Sequence, residues 1–334
     1  MNKRIDVIIV GFGNVGRALF QELTRYKEFH VAGLVSSKGA VLLRNRESFQ
    51  EALNLAEKGF KLDSHSSFHS GMDSIELAVK TGAELAFIAI PPSYESGEPN
   101  RSLYYGLLDN GLSIITADKT VLALEYKNIK QFVQKRGLFL GYRATVAAGT
   151  PVLDVIRGLK GREISLIRAV LNATTNYILS LIEKGLNYKE AINKAIEERL
   201  AEPDPYVDID GWDPTAKLSI MLSELGIPIT IHDIHRESLK TISEEEIRCA
   251  IRRGYKIKYI AEAILDKKKY SVHPVKISQN DRLSAAIGHI NVVEFHLENE
   301  KIVIEGPAGP AWRTAKVMIT DALEYLEKKP NYLR

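Results

Sequence analysis

The sequence predicts an α/β protein, with a parallel sheet toward its N-terminal end and a mixed α+β domain after it. Three observations carry that expectation. A β-branched run at residues 5–10 leads straight into Gly11, Gly13 and Gly16 and then into a helical pattern. Short apolar strands go on alternating with helical stretches to about residue 140, which is the rhythm of βαβ units. From about residue 141 the texture changes, and strand-like pieces gather without a helix between each pair.

The elements follow in order. Residues 5–10 are apolar enough to fill a buried parallel strand, and a helix follows the glycines over 17–23. Further strands are expected at 30–35, 85–90, 112–116 and 138–140, separated by helices at 74–80, 100–109 and 126–136. Asn187 and Glu190 stand three apart, as in a capping box, at the head of a helix running to Leu200. Pro203 and Pro205 break it. Asp213 and Pro214 then read as N-cap and first residue of a helix to about 225. Strand-like pieces at 164–171, 257–265, 270–278 and 301–305 suggest an antiparallel sheet, with Lys267, Lys268 and Lys269 at a hairpin tip. The chain closes on a helix in which Lys328 and Lys329 suit the C-terminal end of the dipole.

A length of 334 residues allows two domains and a closing segment. The expected division is 1–143, 144–305 and 306–334, the last packing back on the first. Lys and Arg total 45 against 42 acids, a net +3, too balanced for a chain whose partner is nucleic acid or an anionic membrane. One cysteine, Cys249, excludes an intrachain disulfide framework and any multi-cysteine metal site. No apolar run approaches the 18 residues of a membrane span, and the run before Gly11 is too short for a signal sequence. A cytoplasmic protein with a small-molecule substrate is the expectation. His232 and His235 have ligand-like spacing but no third partner within sequence reach, so no metal site is expected.

The glycine triplet carries the first chemistry. Gly11 permits a tight turn, Gly13 lets the backbone approach a pyrophosphate, and Gly16 lets helix and strand pack closely. This is the dinucleotide fingerprint of a Rossmann-type domain. In NAD enzymes an acid near the end of the second strand binds the ribose hydroxyls. Here that strand ends in Ser36, Ser37 and Lys38, with Arg44 beyond. Two hydroxyls and a cation suit a 2′-phosphate, so the expected cofactor is NADP.

Lys217 lies four residues after Asp213, on the same helix face. A cation near a helix N-terminus is poorly placed, which favours a neutral lysine able to move protons. From this helix alone the pair reads as readily as an ordinary surface ion pair. With Glu202, Asp204 and Asp208 on the loop before it, a site becomes the better reading. Those carboxylates suit the ammonium of an amino-acid substrate, and their spacing does not fit a calcium loop.

Several segments, in this order and spacing, resemble homoserine dehydrogenases. They are the glycine turn; Ile90-Pro91-Pro92-Ser93; Thr116-Ala117-Asp118-Lys119; residues 144–151; Asn172-Ala173-Thr174-Thr175-Asn176-Tyr177-Ile178-Leu179; Glu202-Pro203-Asp204-Pro205 with Asp208, Gly211, Asp213 and Lys217; and Gly306-Pro307 with Thr314-Ala315. The likeness spans about 4–325. It implies NADP-linked interconversion of aspartate 4-semialdehyde and homoserine. It places substrate contacts at Glu202, Asp208, Asp213, Lys217 and Thr174, with Lys119 near nicotinamide and substrate. Asn14, Val15, Pro91, Lys119 and Gly306 would join the glycines and Ser36–Lys38 on the cofactor. Lys217, held by Asp213, would be the acid/base, and Lys119 an electrostatic support whose charge lowers the pKa of its fellow lysine. A homodimer paired through the second sheet is expected.

Departures from the family pattern are Asp118 for Asn, Arg143 for Glu, Ala173 for Gly, and Ala308 in the late glycine turn. Asp118 is expected to raise the pKa of Lys119 or to compete for it in an ion pair. Arg143 should repel or replace a monovalent cation. These changes keep two alternatives open: an oxidoreductase of the same layout acting on another semialdehyde or hydroxy acid, and a non-catalytic cofactor-binding relative.

Overall fold

β1 (Ile5–Val10) is buried almost throughout in the computed structural model, which describes residues 4–198, 200–201 and 205–332. A strand this apolar needs cover on both faces, and the middle of a parallel sheet provides it. The remaining elements of the first unit are α1 (Asn14–Leu23), β2 (Phe29–Ser36), β3 (Gly39–Leu42), α2 (Arg46–Lys58), β4 (Phe68–Ser70), α3 (Ser74–Thr81), β5 (Leu85–Ile88), α4 (Asn100–Asp109), β6 (Ser113–Thr116), α5 (Thr120–Lys135) and β7 (Leu140–Gly141). Their seven strands order as β4-β3-β2-β1-β5-β6-β7. β2, β1, β5, β6 and β7 run parallel, whereas β3 pairs antiparallel with both β2 and β4.

Sequence periodicity does not reveal these two outer strands, because strands of four and three residues are too short to show a period. It also misses α2, whose ends are nonetheless clear: Asn45 forms a capping box with Ser48, and Gly59 closes the helix at φ +71°. α5 begins at Thr120 rather than 126 and carries a non-helical residue, Glu125, inside it. The Glu125 carboxylate is held from α4 by Arg101 at 3.0 Å and the Tyr105 hydroxyl at 3.1 Å. The last strand falls at 140–141 rather than 138–140.

The second unit, residues 146–308, contains α6 (Val152–Gly158), β8 (Ile164–Val170), α7 (Ala173–Glu183), α8 (Tyr188–Glu197), α9 (Tyr206–Ile209), α10 (Trp212–Glu224), β9 (His235–Arg236), α11 (Glu244–Arg252), β10 (Tyr255–Ile264), β11 (Lys269–Ser278), β12 (Ile290–Leu297) and β13 (Lys301–Pro307). Six strands order as β13-β12-β8-β10-β11-β9. Every pairing is antiparallel except the short parallel contact of β9 with β11. β12 escapes sequence reading because Glu294 and His296 interrupt its apolar run. In the fold Glu294 is fully buried, with Arg168, His296 and Lys301 around its carboxylate. Lys268 sits in the β10–β11 turn at φ +50°.

α12 (Ala311–Tyr332) belongs to the first unit, which comprises residues 1–145 and 309–334. Ala315, Met318, Ile319, Ala322 and Tyr325 join the core formed by Leu19, Phe20 and Leu23 of α1 with Ile5, Val7 and Ile9 of β1. Arg143 is part of this seam. Its guanidinium binds Asp321 at 2.6 Å and also Glu324, while its own N–H donates to Asp321 Oδ2. The arginine thus has an internal structural role, tying the chain before the second unit to α12. Among the described residues no helix is long and apolar enough to cross a membrane.

Candidate active site

The parallel sheet brings four chain segments to one edge through bonds that continue its ladder. Gly11 N–H donates to Val35 O, Ala89 N–H to Val10 O, and Ala117 N–H to Ile88 O, all at 2.8–2.9 Å. The turns at 11–16, 36–39, 89–93 and 117–119 therefore follow the carboxyl ends of neighbouring strands, where ligands of such sheets bind.

The three glycines differ in what demands them. Gly11 adopts φ +103°, and a Cβ there would lie 2.2 Å from Ala89 O. At Gly16 a Cβ would lie 1.7 Å from Gly11 O. At Gly13 it would meet no atom within 4 Å. Among the described residues nothing stands against a side chain at Gly13, so the space over this glycine is open. No side chain caps α1 at Gly13, and the first N–H groups of a helix have no partner within it. Asn14 and Val15 open that helix, and Asn14 Oδ1 accepts from Arg17 at 2.9 Å. A pyrophosphate against bare backbone at a helix N-terminus fits this cradle.

Ser36 ends β2, and Ser37 and Lys38 form the turn to β3. Ser36 Oγ accepts from Lys38 N–H and donates to Gly39 O. Lys38 Nζ is bound to Asp63 Oδ2 at 2.7 Å. Pro91 O accepts from Asn100 Nδ2 at 2.9 Å, and the same amide reaches Thr120 Oγ1 at 3.1 Å. Lys119 is the N-cap residue of α5. Its neighbour Asp118 does not form the competing pair expected from sequence. The Asp118 side chain is buried, and its Oδ1 accepts from Thr120 N–H and Oγ1–H at 3.1 and 2.8 Å. Burial raises its carboxyl above the usual range.

In the second unit Asn172 is the organising residue, and sequence reading did not single it out. It N-caps α7, with Oδ1 accepting from Thr175 N–H at 2.8 Å. Its Nδ2 donates to Asp208 Oδ1 at 2.5 Å and Asp213 Oδ2 at 2.9 Å. Asp213 Oδ2 also accepts from Lys217 Nζ at 2.6 Å, and Nζ donates again to Leu171 O at 2.6 Å. One amide therefore holds two carboxylates, and one of these holds the lysine. The fold brings Asp208, Asp213 and Lys217 into one array, and Thr174, the second residue of α7, donates to Leu200 O at 2.9 Å. Burial, and then the Asp213 charge, raise the Asp208 carboxyl; hydrogen bonds from Asn172 and Thr174 pull it back.

Asp213 is not the helix cap. Gly211 takes that place at φ +79°, and α10 begins at Trp212. A Cβ on Gly211 would lie 2.2 Å from the Tyr259 hydroxyl. Freed from capping, the Asp213 carboxylate turns to Asn172 and Lys217. Ala173 is the first residue of α7, directly after the cap. Glu202, with Pro203 and Asp204, lies outside the described residues. Gly306 is on β13 opposite Asn291, and its own unit needs it: a Cβ would lie 2.6 Å from Thr150 Oγ1. Ala308 N–H donates to His289 O at 2.8 Å. His235 pairs with Glu237 at 3.1 Å, and no group of three metal-ligating side chains occurs among the described residues.

A family model described as homoserine dehydrogenase matches residues 151–323. The chain is 33% identical over 314 residues to the homoserine dehydrogenase of Sulfurisphaera tokodaii, covering 92% of this chain and 94% of that one. It is 27% identical over 334 residues to a protein of Pseudomonas canavaninivorans named NAD(+)-dependent homoserine dehydrogenase, covering 94% of each. Among solved structures, a hyperthermophilic archaeal homoserine dehydrogenase in complex with NADPH aligns with a TM-score of 0.82 and 25% identity, covering 98% of both chains.

Proposed function

The chain belongs to the homoserine dehydrogenase family, and from that premise we propose that it interconverts L-aspartate 4-semialdehyde and L-homoserine with NADP as cofactor. Members of this family are NAD(P)-linked oxidoreductases of amino-acid biosynthesis, and this chain is one of them. When bound, the nicotinamide supplies or accepts the hydride.

The chain's own residues do the rest. In reduction Lys217 Nζ gives a proton to the oxygen of the former aldehyde, and in oxidation it takes the proton back. Asp213 and Leu171 O fix Nζ from two sides, which sets the direction of its remaining N–H. Asn172 keeps Asp213 in place. Asp208, buried beside another carboxylate, gains most from an arriving ammonium, and this suits the amino group of the substrate; Glu202 would assist. Thr174 lies beside them, and Lys119 adds positive charge near the developing oxyanion. The turn at 11–16, with Asn14, Val15 and Pro91, holds the dinucleotide, and Ser36, Ser37 and Lys38 take the 2′-phosphate. Gly306 is proposed to border the cofactor.

The observation that carries this reading is the Asn172–Asp213–Lys217 array, which leaves one lysine held by a carboxylate and a carbonyl. Replacing Lys217 with Ala should lower turnover of aspartate semialdehyde by about 10²–10⁴-fold, with NADPH affinity nearly intact. Unchanged turnover would sink the assignment. Oxidation of NADPH across a panel of aldehydes reads substrate choice in the same assay.

A cytoplasmic homodimer is the assembly we infer. On β8, β10 and β12, Arg168 faces Glu262 on one side and Glu294 on the other, with Val303 beyond and 39% exposed. A sheet face that ends in an exposed valine suits pairing across a two-fold axis. Analytical ultracentrifugation giving a monomer at micromolar concentration would contradict it.

A further inference from the structure

The second strand lacks the acid that NAD enzymes use for the adenosine ribose, yet the fold supplies one from elsewhere. We propose that Asp63 sets the choice between the two dinucleotides, binding the ribose hydroxyls of NAD and withholding Lys38 from the 2′-phosphate of NADP. This rests on the reading of residues 36–38 as the ribose end of the cofactor site.

The two side chains stand on fixed backbone. Lys38 O accepts from Gly71 N–H at 2.9 Å, and its N–H is held by Ser36 Oγ. Asp63 sits in a 3-10 turn, Leu62–Ser64, whose Leu62 is 1% exposed in the core of the first unit. The same segment is fastened to the phosphate-binding turn. Arg17, in the first turn of α1, donates to Gly59 O and Phe60 O at 3.1 and 3.3 Å and to Asn14 Oδ1 at 2.9 Å. Asp63 therefore follows, three residues on, a stretch bound to the helix that would carry the pyrophosphate. The ribose lies on the strand-two side of that helix in such folds, and Lys38 marks that side here.

Charge decides what the pair can do. Asp63 is a stable carboxylate, held low by the Lys38 hydrogen bond, with Lys61 adding a smaller attraction. A ribose diol offers two donors and no charge, so an anionic acceptor suits it. A 2′-phosphate carries negative charge and needs Lys38, which must leave Asp63 to reach it. The pair is exposed, 62% at the Lys38 side chain and 26% at Asp63, and exposed ion pairs are weak. Breaking it therefore hinders NADP without excluding it. The arrangement accepts both cofactors, with a preference set by one carboxylate.

The test measures dissociation constants of NADPH and NADH on the intact protein, at low and high salt, for the parent, Asp63→Asn and Lys38→Ala. Asp63→Asn should tighten NADPH and weaken NADH, moving their ratio by about 5- to 20-fold, with the NADPH gain shrinking as salt rises. Asp63→Glu should restore the parent ratio. A ratio within two-fold of the parent in Asp63→Asn, while Lys38→Ala weakens NADPH, overturns the role of Asp63 and leaves the ribose end where it was read. No loss of NADPH affinity in Lys38→Ala removes that reading, and the proposal falls with it. Because both cofactors are measured on one preparation, partial unfolding of a variant cancels from the ratio.

Discussion

Asp118 shows how far one side chain can depart from what its neighbours in sequence suggest. Beside Lys119 it reads as a competitor for the lysine, yet it is 2% exposed and turned toward Thr120. Its Oδ1 has two donors, whereas Oδ2 is buried with no hydrogen-bond partner. An unsatisfied buried oxygen costs free energy, and more so when charged. The folded carboxyl titrates above its ordinary value because of burial. A raised carboxyl holds its proton more tightly in the native state. Its contribution to stability is therefore complete below about pH 3.8 and is lost as pH climbs through the raised value. Asp118→Asn keeps the acceptor for Thr120 and removes the charge. The variant should match the parent near pH 4 and exceed it by about 1–3 kcal/mol at pH 8. Urea unfolding at the two pH values measures this, and parallel stability curves would show that the carboxyl is not the cause. Legibility at this scale follows distance along the chain. The glycines at 11, 13 and 16 are readable because their strand–turn–helix setting is local. The Lys38–Asp63 pair and the bridging of Asp208 and Asp213 by Asn172 join residues 25 to 41 positions apart, and only folding brings them together.

Among whole elements, the same rule separates what the sequence reveals from what it conceals. The capping box of α8 is present as read, with Asn187 accepting from Glu190 N–H and the Glu190 carboxylate returning to Asn187 N–H, because a cap is settled within four residues. The start of α10 is not local. Asp-Pro favours a cap at Asp213, yet Gly211 can enter the left-handed region beneath Tyr259, and the helix begins two residues earlier. The shift keeps Asp213 and Lys217 on one face and releases the carboxylate for the site. Strands divide similarly. β1, β5 and β6 are buried apolar runs between helices and are visible as such. β12 is hidden because Glu294 breaks its pattern, and that glutamate is acceptable only once Arg168 on β8 lies opposite it. α5 starts early because Val121, Leu122 and Ala123 are all buried, so its first turn lacks the polar face that periodicity needs.

Across the molecule, the two units differ in how the chain builds them. The second uses one continuous stretch, 146–308, whereas the first needs 309–334 as well. Ala315, Met318, Ile319, Ala322 and Tyr325 of α12 are each 5% exposed or less, packed on α1 and the sheet. Arg143 to Asp321 and Lys329 to Glu84 tie the helix to the rest of its unit. Burying these apolar side chains contributes roughly 5–10 kcal/mol at about 25 cal/mol per Å². That is comparable to the whole stability of a domain, about 5–15 kcal/mol. A chain stopped after Ala308 should therefore lose the cooperative unfolding of the first unit and its NADPH binding together. Residues 146–308 lose none of their own strands by the truncation. They should keep a cooperative transition, both in the shortened chain and when produced alone. Calorimetry of the three forms separates the cases, with NADPH fluorescence as the readout for the first unit. If the shortened chain bound NADPH with unchanged affinity, α12 would be a cover on an already stable core. If 146–308 alone unfolded without a transition, the second unit would depend on the first, and its continuous sheet would be insufficient to fold it.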